Sequence, residues 1–125
     1  MKQGLKYIVL LMLTVSFAQE KDKALQKSND YVYEGNVLVD DDFVAAEKEY
    51  RKAISKKPNN TPGTYNLGNA YYNSKHYSEA LLRHIEASKS ATTKAEKHLA
   101  HHNIGNALMQ QKQCKEAVEA FKNAL

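Results

Sequence analysis

The dipeptide Gly-Asn occurs three times in this chain, at Gly35-Asn36, Gly68-Asn69 and Gly105-Asn106. Each copy is followed by an alanine, then an aromatic residue or histidine, then a second alanine: Ala46, Tyr50, Ala53; Ala80, His84, Ala87; Ala117, Phe121, Ala124. The first alanines of successive copies are 34 and 37 residues apart. A self-similar period of that length predicts an all-α array of stacked helix pairs. Such arrays generally bind other molecules across the surface that the stacked pairs create.

The first 18 residues read as an export signal. Lys2 and Lys6 precede an apolar run from Tyr7 to Phe17, and small residues around Ala18 suit a signal peptidase. The run is shorter than the roughly 20 apolar residues that a membrane-spanning helix needs. We therefore expect a signal peptide at 1–18, cleaved near Ala18, and a short linker at 19–27. The exported protein would reside in the periplasm or cell envelope; an uncleaved anchor is the alternative.

The charge balance disfavours two classes of partner. Removing Lys2 and Lys6 from the 18 basic residues leaves 16 against 14 acidic ones, a net charge of +2. That is too balanced to predict binding to nucleic acid or to an anionic membrane surface. The single cysteine rules out an internal disulfide framework, and its position far from Ala18 argues against lipidation there. The chain shows no nucleophile–base pair, phosphate loop or paired carboxylates, so we expect no enzymatic activity, cofactor or small-molecule substrate.

From residue 28 onward the apolar residues follow helical spacing. The helix pairs are expected at 28–39 with 43–56, 62–74 with 78–90, and 95–111 with 114–125. The corresponding repeats are 28–60, 61–97 and 98–125, the last truncated, so that more repeats or a solvating helix would follow Leu125. Carboxylates at 40–42 suit the start of the second helix. One residue is missing between the first two helices, and three extra residues at 88–97 predict longer helices or a longer turn.

The repeated small residues are expected to serve packing. Glycine inside a helix costs about 1 kcal/mol relative to alanine, so three such positions need a compensating contact. We expect Gly35, Gly68 and Gly105 to face the small alanines of the partner helix. The rings at positions 50, 84 and 121 would then fill the space between repeats. A further core-like position is shared by Phe43, Tyr77 and Cys114.

These motifs resemble the tetratricopeptide repeat. The best copy is Tyr-Asn-Leu-Gly-Asn-Ala-Tyr at 65–71 with its downstream alanines, and His-Asn-Ile-Gly-Asn-Ala-Leu at 102–108 is a second. The first copy departs from the pattern, because Glu34 stands where Leu67 and Ile104 stand in the others. The resemblance covers 28–125 and implies a superhelix of antiparallel helix pairs that binds protein.

A narrower resemblance concerns the tetratricopeptide components of bacterial aerotolerance operons, the Bat proteins. It is carried by Glu-Tyr-Arg-Lys-Ala-Ile-Ser-Lys at 49–56, Tyr-Asn-Leu-Gly-Asn-Ala-Tyr-Tyr at 65–72 and the segment 114–125. That family is associated with the cell envelope. It is encoded beside membrane proteins with von Willebrand factor A domains and a MoxR-type ATPase. The resemblance implies membrane-bound partners of that kind and a role in tolerance of oxidative stress.

The first helix of each pair is expected to line the concave face of such an array. Asn36, Asn69 and Asn106 follow the glycines, and Asn66 and Asn103 lie one helical turn earlier on the same face. Asparagine both donates and accepts hydrogen bonds, and so can hold the backbone of an extended peptide. Alternatively, these asparagines bond to neighbouring repeats and keep the helices in register. Flanking contacts are expected from Tyr65, Tyr72, His102 and Met109.

Some repeat domains of this type grip a terminal carboxylate with lysines and arginines on this face. Here the candidate positions hold Tyr65, Asn73, His102 and Gln110. This set of carboxylate-binding residues, the carboxylate clamp, is incomplete here. The sequence therefore favours a partner that presents an internal segment or a folded surface.

Two more specific functional hypotheses compete with protein binding. His98 has helical spacing to His101 and His102 that could hold a transition metal, but no cysteine or carboxylate pair completes a closed site. Cys114 could be a redox thiol, although its core-like equivalents predict a buried and inert one. The carboxylates at 40–42 resemble a calcium loop only in composition.

The sequence therefore predicts an exported, non-catalytic scaffold for protein–protein interaction in the cell envelope. A chaperone or assembly factor for exported clients is the first alternative, and a metal- or redox-responsive module the second.

Overall fold

The computed structural model describes residues 2–125, and within this range the chain forms six helices and no strand. The helices are α1 (Lys2–Leu38), α2 (Phe43–Lys56), α3 (Thr61–Asn73), α4 (Tyr77–Ser90), α5 (Lys94–Gln110) and α6 (Cys114–Ala124). Short turns join α1 to α2, α3 to α4 and α5 to α6 as antiparallel pairs, and the pairs stack in chain order. The predicted all-α array of stacked helix pairs is confirmed.

Small residues bring the helices of each pair together. Ala46, Ala80 and Ala117 are completely buried in α2, α4 and α6. One cluster of buried side chains joins the first two pairs around Tyr50 and Leu67. A second fills the third pair, and apolar side chains of α4 pack against it, so that the core continues along the stack.

The repeated glycines lie against rings rather than facing alanines. A methyl group added to Gly35 would come within 2.6 Å of the Tyr50 ring, and one added to Gly68 within 2.7 Å of the His84 ring. Gly105 has the same relation to the ring of Phe121. Each glycine thus makes room for the ring of the second helix in its own pair. The expectation that the glycines face small alanines was wrong, because the bulkier ring reaches the glycine first.

Helix α1 is far longer than the expected 28–39. It runs unbroken from Lys2 to Leu38, so the segment 19–27 is helical and continuous with the described part of the expected signal, 2–18. The apolar side chains between Tyr7 and Phe17 are more than half exposed. Among the described residues, no helix has the length and apolarity needed to cross a membrane. The division into signal peptide and linker stays a prediction.

The ends of the helices explain the irregular spacing. Helix α1 ends three residues after its glycine, whereas α3 and α5 end five residues after theirs. The expected shortening is therefore found at the end of α1 and not in the turn. The turn between α1 and α2 has four residues, whereas the turns of the other two pairs have three. Asp42 caps α2 by accepting a 2.9 Å hydrogen bond from the Ala45 N–H. The extra residues after α4 lengthen α5 to 17 residues, against 13 in α3.

Candidate partner-binding face

The first helices of the three pairs lie side by side, and asparagines join them. Asn66 Nδ2 of α3 donates a 2.9 Å hydrogen bond to Asn36 Oδ1 of α1. In the same way, Asn103 Nδ2 of α5 donates a 3.0 Å bond to Asn69 Oδ1 of α3. We call the surface that carries these four residues and Asn106 the asparagine face. These contacts are the inter-repeat bonds that one of the two sequence interpretations expects.

Each bonded pair keeps unused hydrogen-bonding capacity. A side-chain amide offers two N–H donors and a carbonyl with two lone pairs. Asn36 and Asn69 use only their carbonyls, so their amide groups stay available as donors. Asn66 and Asn103 use only their amide groups, so their carbonyls stay available as acceptors. Every junction between repeats therefore presents both a donor and an acceptor, and contact with a partner is compatible with the inter-repeat bonds.

A groove of about 320 Å³ follows the first junction. It is lined by Asn36, Val39, Tyr50, Asn66, Asn69, Ala70 and Asn73. A cavity of about 40 Å³ lies at the second junction, lined by Asn69, Tyr72, His84, Asn103 and Asn106. Asn69 borders both, so the asparagine face is continuous across the stack. No lysine, arginine, aspartate or glutamate belongs to either lining, which agrees with the incomplete carboxylate clamp.

The flanking aromatic residues are partly committed to contacts between repeats. Tyr65 meets His84 edge-on at 5.4 Å between ring centres, and its hydroxyl accepts a 3.1 Å hydrogen bond from Asn103. The Tyr72 hydroxyl accepts from Gln110 of α5 at 3.3 Å. His102 is exposed and lies near Phe121 of α6, outside the linings of the groove and the cavity. The structure therefore brings Tyr65 and Tyr72 to the asparagine face and leaves His102 beside it.

His84 is the most unusual polar residue of the face. Its side chain is completely buried, and neither ring nitrogen has a hydrogen-bond partner among the described residues. Burial lowers the pKa of the imidazole to about 4, because the charged form would lose its hydration. The ring is therefore neutral at pH 7, with one nitrogen a donor and the other an acceptor.

The histidines of α5 contact each other and the end of α6. His98 and His102 stack with 6.2 Å between ring centres, and His98 Nδ1 lies 2.6 Å from the Ala124 carbonyl oxygen. Within residues 2–125, no group of three or more histidine, cysteine, aspartate or glutamate side chains could hold a metal ion. The arrangement instead joins the start of α5 to the end of α6.

Cys114 is exposed, so the expectation of a core-like thiol was wrong. Its equivalents Phe43 and Tyr77 are half-buried because their rings reach neighbouring rings, Tyr71 and Tyr72 respectively.

Sequence reasoning missed two polar clusters that hold the first two pairs together. Asn60, which precedes α3, donates from Nδ2 to Ser28 Oγ at 2.7 Å and accepts from the Gly63 N–H at 3.0 Å. The hydroxyl of Tyr71 donates to Glu47, which lowers the pKa of that carboxyl, and accepts a 2.7 Å bond from Arg51. An asparagine before Thr-Pro is a recognisable helix cap, but its hydrogen bond to Ser28 of α1 depends on the tertiary fold.

A larger depression lies away from the asparagine face. It has a volume of about 730 Å³ and runs along α2. Its lining comprises Tyr31, Val44, Glu47, Lys48, Arg51, Lys52, Ser55 and Lys56. Lys52 pairs with Glu49 and also lies 5.4 Å from the centre of the Tyr31 ring. It is an open and largely basic surface that the sequence analysis did not single out.

Comparison with known proteins places this geometry in context. No protein-family model matches the chain. The type IV pilus assembly protein PilF of Pseudomonas aeruginosa is 35% identical over 80 residues, which cover 64% of this chain and 31% of PilF. The chain thus spans about a third of the length of that relative. The N-terminal domain of stress-induced protein-1 (STI-1) from C. elegans superposes with a TM-score of 0.77 at 25% identity. That match covers 82% of this chain and 84% of the domain, and together the two similarities support a tetratricopeptide-type fold.

Proposed function

We propose that this protein is an exported, non-catalytic scaffold of the cell envelope that binds partner proteins through its asparagine face. The observation that carries the proposal is the pair of inter-repeat bonds, Asn66 to Asn36 and Asn103 to Asn69. Each leaves one donor and one acceptor on an uncharged surface. A peptide unit also has one donor and one acceptor, so an extended segment of a partner can pair with them whatever its side chains.

The envelope setting rests on two lines of support. The segment 1–18 has the composition of an export signal, with a basic start and an apolar centre. The relative PilF is by name a pilus assembly protein, and pili are built at the cell surface. The resemblance to Bat components at 49–56, 65–72 and 114–125 supports a narrower proposal. In it, the partners are membrane proteins with von Willebrand factor A domains, in a complex that serves aerotolerance.

An assembly factor or chaperone for exported clients is the second candidate function. The similarity to PilF favours it, because that protein is by name an assembly protein. The same asparagine face would serve both functions. A scaffold would form a lasting complex with one partner, whereas an assembly factor would bind several clients transiently.

Capture of partners from detergent-solubilised envelope, with the full chain as bait, tests the proposal. The groove variant is Asn73→Ala/Asn106→Ala, because neither side chain forms a hydrogen bond with another described residue and both line the asparagine face. The matched control is Asn59→Ala/Asn123→Ala, which removes two exposed asparagines outside these linings. Wild type and control should capture the same membrane protein, and the groove variant should lose it while keeping its helicity. Equal capture by all three would reject binding of the partner in the groove and the cavity that Asn73 and Asn106 line.

A further inference from the structure

The three repeats use different rings at the position that faces the glycine. In the first pair, the Tyr50 hydroxyl donates a 2.8 Å hydrogen bond to Asn36 Oδ1, which also accepts from Asn66. In the second pair, Asn69 Oδ1 accepts the matching bond from Asn103, but His84 stands in the place of Tyr50. Imidazole carries no hydroxyl, so Asn69 Oδ1 keeps a lone pair that its equivalent Asn36 uses.

The ring of His84 also lacks partners. Both of its nitrogens are buried without a hydrogen bond among residues 2–125, and such groups are rare in folded proteins. One of them is a donor and the other an acceptor. A group that serves this site must therefore be able to donate to Asn69 and also to bond with the imidazole.

The cavity beside His84 sets the size of that group. Its volume of about 40 Å³ is enough for a water molecule or a hydroxymethyl group. The lining comes from the side chains of Asn69, Tyr72, His84, Asn103 and Asn106. A carboxylate is disfavoured because it can only accept, and an ammonium group because no acidic residue lines the cavity to offset its buried charge. An amide side chain has three heavy atoms beyond its methylene and exceeds the space. A hydroxyl both donates and accepts and is small enough.

We propose that this cavity is a hydroxyl-binding site in the asparagine face. A hydroxyl there donates to Asn69 Oδ1 and bonds to a ring nitrogen of His84, so it takes the part that the Tyr50 hydroxyl plays in the first pair. Water supplies the hydroxyl in the free protein. In the complex, the side chain of a partner serine or threonine replaces it, and this second half rests on the proposed function. The second junction would then select for hydroxyl-bearing side chains, while the first junction would not, because the Tyr50 hydroxyl already bonds to Asn36 Oδ1 there.

Nuclear magnetic resonance of the full chain tests the site with methanol as the hydroxyl probe. Acetonitrile is the comparison probe, since it has only one heavy atom more than methanol and accepts a hydrogen bond but cannot donate one. The readouts are the ¹⁵N shifts of the His84 ring, the Asn69 amide signals, and cross-peaks between water and the His84 ring protons. For a probe of two heavy atoms we expect a dissociation constant of about 10 mM or weaker.

The expected result is a water cross-peak at His84 and saturable shifts with methanol but not with acetonitrile. The variant His84→Tyr should lose the methanol response, because its own hydroxyl would fill the cavity as Tyr50 does. The variant His84→Phe, which copies Phe121, should lose the water cross-peak and the methanol response. Both rings already occupy this position in other repeats of the chain.

Three outcomes would overturn the proposal. A dry cavity that ignores methanol would reject the site, and an equal response to acetonitrile would reject its selectivity for a hydroxyl. A water cross-peak without any methanol response would show a water-only site and reject the partner half. The titration contains no partner, so its failure is distinguishable from a failure of the envelope capture experiment.

Discussion

At the scale of single residues, His84 makes the stability of the folded chain depend on pH. Its pKa is about 4 in the folded chain, against 6.5 for an unburied imidazole, because burial penalises the charged ring. Between these two values the unfolded chain binds more protons, so stability is full above pH 6.5 and falls as the pH drops towards 4. We expect unfolding by urea at pH 5 to show roughly 2 kcal/mol less stability from this residue than at pH 7.5.

The variant His84→Phe isolates that contribution. The other four histidines are the same in both proteins, so the difference between wild type and variant reports on position 84. A variant that loses as much stability on acidification as the wild type would show that His84 is not the group responsible.

Asn60 is the second residue with a specific prediction. Its side chain is buried and bonds to Ser28, to Asn29 and to the Gly63 N–H, and so caps α3 while holding α1. Replacement of Asn60 by alanine should lower the free energy of unfolding by roughly 2–3 kcal/mol, because α3 loses its cap and the buried Ser28 hydroxyl loses a hydrogen-bond donor. Thermal unfolding measures the effect, with Asn59→Ala as the exposed neighbouring control. Similar losses for the two variants would contradict the assigned role.

Residue types predicted packing better than hydrogen bonding. The period of glycine, alanine and ring residues is visible in the sequence because each repeat places the same residue types at the same junction. Whether Asn36 bonds to Asn66, and whether the two nitrogens of His84 find partners, depends on how the helices are placed in space. No spacing within one helix carries that information, which is why the link from Asn60 to α1 and the cluster of Glu47, Arg51 and Tyr71 were missed.

At the scale of helices, two lysines hold strained conformations. Lys75 and Lys112 follow α3 and α5 with φ angles of 64° and 60°, in the left-handed region that favours glycine. The first turn has no such residue and instead uses the cap by Asp42. Helix pairs were predictable from periodicity and caps, whereas the end of α1 was not, because its turn closes differently from the other two.

Replacing either lysine with glycine should stabilise the chain. The left-handed conformation costs a residue with a side chain roughly 1 kcal/mol, so Lys75→Gly and Lys112→Gly should each add about 0.5–1 kcal/mol. The urea midpoint should rise without a change in slope. Lys57→Gly serves as the control, since Lys57 has an extended backbone with φ of −140° and should gain nothing. A gain at position 57 as large as at position 75 would contradict the explanation.

At the scale of the whole molecule, the stack of three helix pairs was predictable and its amino-terminal extension was not. Neighbouring repeats pack through buried alanines and rings that recur along the chain, so the stacking of the repeats can be predicted from the sequence. The segment 19–27 is rich in residues that favour helices and has neither glycine nor proline. Nothing therefore interrupts α1, although the segment has no apolar period from which a helix would have been inferred.

The most direct test of the central claim is the affinity of the captured membrane protein, once purified, for three forms of the full chain. These are the wild type, Asn73→Ala/Asn106→Ala and Asn59→Ala/Asn123→Ala. A partner that lies in the groove and the cavity should also bond to Asn73 and Asn106, and each such bond is worth about 0.5–1.5 kcal/mol. The groove variant should therefore bind about tenfold more weakly. The control should bind like the wild type. Equal dissociation constants for all three, with helicity unchanged, would contradict binding through the asparagine face.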